Sequence, residues 1–238
     1  MAASNIAETF ASRPPLALVR DRRTMEPETE GARRALNVAV AAIGLVLAAP
    51  VLAVVAALIK LTSPGPVFFV QDRVGLDRRD SAKAEGNGRR QLDLGGKTFR
   101  IFKFRTMIVQ LKSEQVWASP DDPRVTAVGR VLRKYRLDEL PQLINVLLGD
   151  MNIVGPRPEQ PSIVVDLQQQ INAYNMRHKV RPGITGWAQI NHHYDRSIED
   201  VRRKVSLDLE YIRRQSLSED LKIMLRTVPV VVLRKGGW

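Results

Sequence analysis

The stretch ALNVAVAAIGLVLAAPVLAVVAALI, Ala35 to Ile59, decides what kind of protein this is. About 25 residues pass without a charged side chain, and only Asn37 is distinctly polar. The core helix of a soluble domain rarely runs so far uncharged, whereas about 20 apolar residues are what a bilayer segment needs. The stretch begins past residue 30, behind a polar region of mixed charge, which does not suit a cleavable signal peptide. Pro50 divides it. Proline removes a helix hydrogen bond and crowds the preceding turn, at a cost of about 3 kcal/mol. At about 1.5 Å per residue, Ala35 to Ala49 makes a helix of roughly 22 Å and Val51 to Leu61 one of roughly 16 Å. Neither half crosses a hydrocarbon core of about 30 Å, although the two in line would. Arg33 and Arg34 precede the segment and Lys60 follows it. Cations on both flanks suit a re-entrant helix–break–helix with both ends on the cytoplasmic side. The residues alone leave a plain spanning helix equally open.

The rest of the chain is basic. Its 238 residues carry 37 Lys+Arg against 25 Asp+Glu, a net charge of +12. Such an excess calls for an anionic partner: nucleic acid, anionic lipid or a phosphorylated substrate. A hydrophobic fraction of 44% against 26% charged residues allows a real core. Cysteine is absent, which excludes disulfides, thiolate metal sites and cysteine nucleophiles together. Three histidines leave little for a histidine metal cluster.

These features divide the chain into a disordered polar tail (1–30), a membrane segment (31–62) and a cytoplasmic domain (63–238). The domain reads as α+β and mostly helical. Ser63-Pro64-Gly65-Pro66 is a turn cluster. Val67–Gln71 and Phe99–Phe104 have the β-branched and aromatic content of strands, and form a hairpin around a long polar insert near residues 78–93. Leu140–Leu148 reads as a helix with Pro141 at its start and Gly149 past its end. Ser197 and Asp200 form a capping-box pattern ahead of Ile198, Val201, Val205, Leu209 and Ile212 at helical spacing.

Four clusters could carry chemistry. In KFRTM (103–107), Lys103 and Arg105 alternate with apolar residues and share one face of a strand, which a merely solvated strand face also explains. In LRKYRLDELPQ (132–142), the adjacent carboxylates Asp138 and Glu139 stand before a proline-started helix. A carboxylate held ionised there could serve as nucleophile or magnesium ligand, or simply as a cap with a surface ion pair. In GDMNIVGPRP (149–158), Arg157 lies between two prolines, so its guanidinium is pre-positioned for phosphate or merely part of a rigid turn. In RPGITGWAQ (181–189), glycines flanking Ile184-Thr185 let a backbone approach closely, and Trp187 could stack on a base or sugar, lie at a membrane interface, or pack beside a turn.

Taken in this order, with KLTSPGPVFF (60–69) ahead of them, these motifs closely resemble those of the bacterial sugar transferases, the monotopic polyprenyl-phosphate phosphoglycosyl transferases of exopolysaccharide, capsule and glycoconjugate assembly. The resemblance runs from about Arg33 to near the C-terminus and is to the short form of the family. It implies transfer of a sugar 1-phosphate from a UDP-sugar to undecaprenyl phosphate, with release of UMP and a requirement for Mg²⁺. It also implies a bacterial inner-membrane location with the catalytic domain on the cytoplasmic face. By the match of the dyad, Asp138 is the nucleophile that forms a phosphosugar-enzyme intermediate, and Glu139 a metal ligand or proton-handling group. The family's re-entrant helix, broken at a proline, corresponds to Pro50. Fixed cations must offset the repulsion between a carboxylate and two phosphorylated substrates, and Lys103, Arg105, Arg133 and Arg157 are the candidates. Arg181, Thr185, Trp187 and Gln189 are expected in a substrate or interface loop. Anionic membrane lipids are an expected partner, nucleic acid is not, and a homo-oligomer is open.

The sequence departs from the family at several points. Asn37 and Ala49 stand where an Asp and a Ser are common, the hairpin insert is longer than usual, and Asn191-His192-His193 replaces the common Asn-Gly-Arg. Two rival readings remain. A glycosyltransferase that moves the sugar alone would release UDP and commonly uses an Asp-x-Asp metal motif, of which Asp208-Leu209-Glu210 is the nearest imitation. A non-enzymatic basic membrane protein would need a binding surface; aromatic residues make up only 5% and lack base-stacking spacing.

Overall fold

The computed structural model describes residues 27–78, 93–109, 122–192 and 197–232. The polar tail up to residue 26, most of the hairpin insert and His193 lie outside the described residues. The first element, α1 (Pro27–Thr62), corrects the expected helix–break–helix: it is one helix of 36 residues with Pro50 inside it. Proline removes one hydrogen bond, while Ala and Leu, among the strongest helix formers, dominate both flanks. Both flanks are also held from outside. Arg33, Asn37, Ala41, Val55 and Ile59 are buried, and Leu52 and Ala56 are packed with them. At each end these positions recur every three or four residues, so each end of α1 lays one face against the domain, while no residue between Ala41 and Val55 is buried. The opposite face is bare and apolar: Val46 and Leu47 are each 73% exposed and Leu61 is 84% exposed. α1 is long and apolar enough to cross a membrane.

Near its N-terminus α1 is fixed by buried polar contacts. Arg33 donates to Asp220 from Nε at 3.0 Å and from Nη2 at 2.8 Å, and Tyr211 donates to the other Asp220 oxygen at 2.7 Å. Asn37 Nδ2 donates to the Arg33 carbonyl at 2.7 Å, and its Oδ1 accepts from the Ile153 amide at 2.5 Å. The asparagine therefore needs no ion pair with Arg33, because Asp220 supplies the carboxylate. Arg34 donates to the carbonyls of Val146 and Leu147, at 2.7 and 3.0 Å. Near its other end, Val55 and Ile59 bury against Phe104 and Leu132.

Strands β1 (Phe68–Val74) and β2 (Thr98–Phe104) form the expected antiparallel hairpin, with Phe68 opposite Phe104 and their rings stacked at 5.4 Å. Helix α2 (Ala127–Lys134) starts at Thr126, whose side chain accepts from the Gly129 amide at 2.9 Å. A 3₁₀ turn (Leu137–Glu139) leads into α3 (Gln142–Leu148), which ends at Gly149 in the left-handed conformation, φ 85. β3 (Asn152–Val154) pairs in parallel with β4 (Gly183–Thr185). Around them lie α4 (Pro161–Gln170), a 3₁₀ segment (Tyr174–Lys179), α5 (Trp187–Asn191), α6 (Ile198–Arg214) and α7 (Leu217–Val232). The Ser197–Asp200 capping box opens α6 as its spacing predicts. The main core joins Ala41 of α1 to Ile101, Val146, Met151, Val154, Tyr211 and Ile223. The membrane-type helix and the domain thus share one core.

Candidate active site

Asp138 and Glu139 occupy the 3₁₀ turn between α2 and α3. Arg136, just before it, holds φ 54 and ψ 22, a left-handed conformation that reverses the chain after α2. Such a conformation is costly for a side-chain-bearing residue and persists only where its surroundings enforce it. Leu137 supplies part of that enforcement by packing with Phe104, Leu132 and Ile59.

Glu139 is buried and surrounded by cations. Its Oε1 accepts from Lys103 Nζ at 2.9 Å and from Arg157 Nη2 at 2.6 Å. Its Oε2 lies 3.4 Å from Arg157 Nη1 and 3.6 Å from Arg136 Nη1. Burial alone would raise the carboxyl's pKa, but Arg157 and Lys103 outweigh it and hold Glu139 well below the ordinary range. The same burial lowers Lys103, with Glu139 opposing, and Glu139 raises Arg157. Asp138 differs from its neighbour: its carboxylate is half-buried and has no hydrogen bond or ion pair among the described residues. Burial pushes its pKa up, the Glu139 charge adds to that, and Lys103, Arg157 and Arg133 pull the other way. Two adjacent acids are thus driven apart, one firmly ionised and one left as a basic, unpartnered carboxylate.

The other candidate cations do not gather here equally. Arg105 is buried and donates instead to the carbonyls of Ser63 and Pro64 and to Ser63 Oγ, so it fastens the turn that leaves α1. Arg133 donates from Nε to Thr106 Oγ1 at 3.0 Å and stays close enough to act on Asp138. The glycine pattern in RPGITGWAQ does serve close approach, but what approaches is the chain's own Gly155: a methyl group on Gly183 or Gly186 would overlap Gly155 backbone atoms. This second loop therefore supports the VGPRP loop that carries Arg157. Arg181 donates to the Gly149 carbonyl and Thr185 hydrogen-bonds Thr227. Trp187 Nε1 donates to Glu210, with the guanidinium groups of Arg214 and Arg226 4.7 and 5.6 Å from its ring centre. Gln189 Nε2 is buried without a hydrogen-bond partner among the described residues. Among the described residues the structure therefore engages Trp187 with α6 and α7 rather than leaving it open for stacking on a base.

Sequence reasoning missed a second charged layer. Glu159 is held down to about 2: Lys204, Arg177 and Arg73 overcome a burial effect that would raise it. Arg177 is 1% exposed; it donates to Asp208 Oδ2 at 2.7 Å and to the Arg157 carbonyl at 3.0 Å. Glu159 directly follows Pro158, so the signal for it in the sequence is its place next to the proline-framed Arg157. Arg177 and Asp208 lie 31 residues apart with no spacing signal.

Mg²⁺ is usually held by one or two carboxylates together with substrate phosphates and water. The donor set fits that regime through Asp138 alone. Both Glu139 oxygens face cations, and no group of three His, Cys, Asp or Glu side chains able to hold a metal occurs among the described residues.

The two acids should respond oppositely to neutralisation. A carboxyl raised in the folded state costs stability once ionised, and one held low contributes stability above its unfolded value of 4.5. At pH 7, Asp138→Asn should therefore melt at or above the wild-type temperature. Glu139→Gln should lose about 3 kcal/mol by leaving buried cations unpaired. Thermal and denaturant unfolding of the purified chain in detergent check the two in turn, and equal losses would contradict the assignment.

Residues 28–234 match the family model for bacterial sugar transferases. A UDP-N-acetylgalactosamine-undecaprenyl-phosphate N-acetylgalactosaminephosphotransferase of Aeromonas hydrophila is 42% identical over 86% of this chain and 44% of its own length. A UDP-glucose:undecaprenyl-phosphate glucose-1-phosphate transferase of Escherichia coli is 44% identical over 82% of this chain and 39% of its own. Another of that name, from Caulobacter vibrioides, is 42% identical over 87% of this chain and 72% of its own. The chain thus spans less than half the length of the first two relatives and about 72% of the third. With a match from near the start of α1 through α7, the chain belongs to the bacterial sugar transferase family.

Proposed function

We propose that the protein transfers a sugar 1-phosphate from a UDP-sugar to undecaprenyl phosphate and releases UMP, as the first membrane step of exopolysaccharide, capsule or glycoconjugate synthesis. The observation that carries this reading is the unequal dyad: an unpartnered Asp138 beside Glu139, Lys103, Arg157 and Arg133. With Arg136 included, four cations face two carboxylates and leave an excess of two positive charges. That excess suits a diphosphate. The names of the relatives support the same donor and acceptor classes.

In the first step an Asp138 carboxylate oxygen attacks the sugar-bearing phosphorus. A phosphorus–oxygen bond forms to Asp138, and the bond to UMP breaks, with UMP leaving as the anion. In the second step a phosphate oxygen of undecaprenyl phosphate attacks the same phosphorus, the bond to Asp138 breaks, and the carboxylate is regenerated. Dividing one transfer into two steps implies ping-pong kinetics. Lys103 and Arg157 hold their positions through Glu139 and present positive charge to the phosphoryl oxygens. When bound, Mg²⁺ supplies charge neutralisation at the diphosphate, with Asp138 its protein ligand. Glu139 stays ionised and organises the cations.

Both ends of α1 pack on the same domain while its middle does not, which supports placing both ends at one membrane face in the re-entrant sense, the continuous helix bending at Pro50 so that the proline lies at depth and the site at headgroup level. The sugar-only transferase has less support: Asp208 is buried on Arg177, while Glu210 binds Trp187 and Arg214. On one helix, side chains two residues apart point to different faces, so this pair does not form a metal motif.

Incubation with a panel of UDP-sugars and undecaprenyl phosphate should release UMP; release of UDP would contradict the reading. The absence of native cysteine simplifies a topology test. Cysteines placed by Ala32→Cys and Lys97→Cys, both at exposed positions, should be labelled from the cytoplasmic side only. Labelling of the two from opposite sides would overturn re-entrance.

A further inference from the structure

Asn145, in the middle of α3, is completely buried yet contacts neither Asp138 nor Glu139 in any hydrogen bond. Its side-chain amide is aimed at the outer edge of β2. Asn145 Nδ2 donates to the Arg100 carbonyl at 2.7 Å, and the Phe102 amide donates to Asn145 Oδ1 at 3.0 Å. β1 occupies the other edge of that strand. The pair of groups met by Asn145 is the pair that the N–H and C=O of one residue in a parallel third strand would meet. The main chain of the same residue is used as well: the Asn145 carbonyl accepts from the amides of Asp150, at 3.0 Å, and Met151, at 3.3 Å.

One residue thus joins three pieces of backbone. Each of them delivers a charge to the Glu139 cluster. The residue after Phe102 is Lys103; the 3₁₀ turn ahead of α3 carries Asp138 and Glu139; and the turn at Asp150–Met151 runs through β3 to Arg157. A generic apolar residue at this place would fill the space but would not set the strand's position along its axis, because only the paired amide hydrogen bonds depend on register.

We propose that Asn145 is a positioning residue that sets the register of β2 against the dyad, so that Lys103 and Arg157 meet Glu139 while Asp138 stays open to the donor diphosphate. The inference rests on the transferase reading above. A shift of about 1 Å in such a constellation can cost about a hundredfold in rate while leaving binding contacts largely in place.

The test is a double-mutant cycle on the full chain in detergent, read as UMP release with a UDP-sugar that the wild type turns over. Asn145→Asp keeps the acceptor for the Phe102 amide and sets a carboxylate oxygen against the Arg100 carbonyl. It should lower kcat at least about tenfold, with KM for the UDP-sugar changed by less than about threefold. In a Lys103→Ala background, the same substitution should cost less than about threefold, because the contact it registers is already gone. Asn145→Gln, which keeps both hydrogen-bonding groups but displaces them by one methylene, should behave likewise and serves if the Asp variant does not fold. Equal penalties in both backgrounds would overturn the proposal, as would wild-type kcat in either variant. Failure of both variants to fold would also overturn it, since Asn145 would then be a folding residue. A wild-type chain that releases no UMP from any UDP-sugar would instead sink the transferase reading.

Discussion

One buried carboxylate organises this protein. Glu139 accepts from Lys103 on β2 and from Arg157 beyond β3, and lies near Arg136 at the head of its own turn. Removing a charge from water costs several kcal/mol, and only well-placed opposite charges and hydrogen bonds offset that cost. The cations are equally constrained, because without Glu139 they would repel one another in a partly desolvated pocket. The ion cluster therefore forces a hairpin strand, a 3₁₀ turn and a proline-framed loop to converge. It also frees Asp138 from structural duty. The acid that is tied up and the acid that is open are neighbours in sequence, and their surroundings alone assign them different work.

Around that centre, charge is arranged in two layers. The inner layer faces the open side of Asp138. The outer layer, Glu159 with Lys204, Arg73 and Arg177, holds the backbone that carries Arg157, since Arg177 donates to the Arg157 carbonyl as well as to Asp208. The long apolar helix belongs to the same assembly. Arg105 fastens the turn at its end to the residue pair after Lys103, and Asn37 fastens its beginning to β3. The exposed apolar face of α1, unsuited to water, and the site are therefore set relative to each other by direct contacts.

Much of this was legible in the amino-acid sequence where the signal is local. The uncharged run before Lys60, the hairpin strands, the Gly149 stop and the Ser197 cap follow from periodicity and turn chemistry, and the Asp138–Glu139 pair is visible as adjacent carboxylates ahead of a proline. What was not legible is where long side chains go. Lys103 and Arg105 alternate in sequence as if on one strand face, but β2 ends at Phe104, and one reaches Glu139 while the other reaches Ser63 and Pro64. Spacing cannot separate them, because the choice is made by elements about 40 residues away in each direction. Pro50 misled in the opposite sense: the local cost of proline predicts an interruption, whereas packing on both sides keeps α1 a single helix. The glycines around Ile184-Thr185 were rightly read as permitting a close approach, but only the fold identifies Gly155 as what comes close.

The central claim is that Asp138, the acid without a hydrogen bond or ion pair among the described residues, becomes covalently bonded to the sugar phosphate. Intact-protein mass spectrometry after mixing the chain with a turned-over UDP-sugar and Mg²⁺, with undecaprenyl phosphate omitted, tests it most directly. The account predicts a mass increase equal to one sugar phosphate, mapped to the peptide containing Asp138, absent in Asp138→Asn and discharged on addition of undecaprenyl phosphate. Turnover with no adduct at any time, or an adduct that persists in Asp138→Asn, would contradict it.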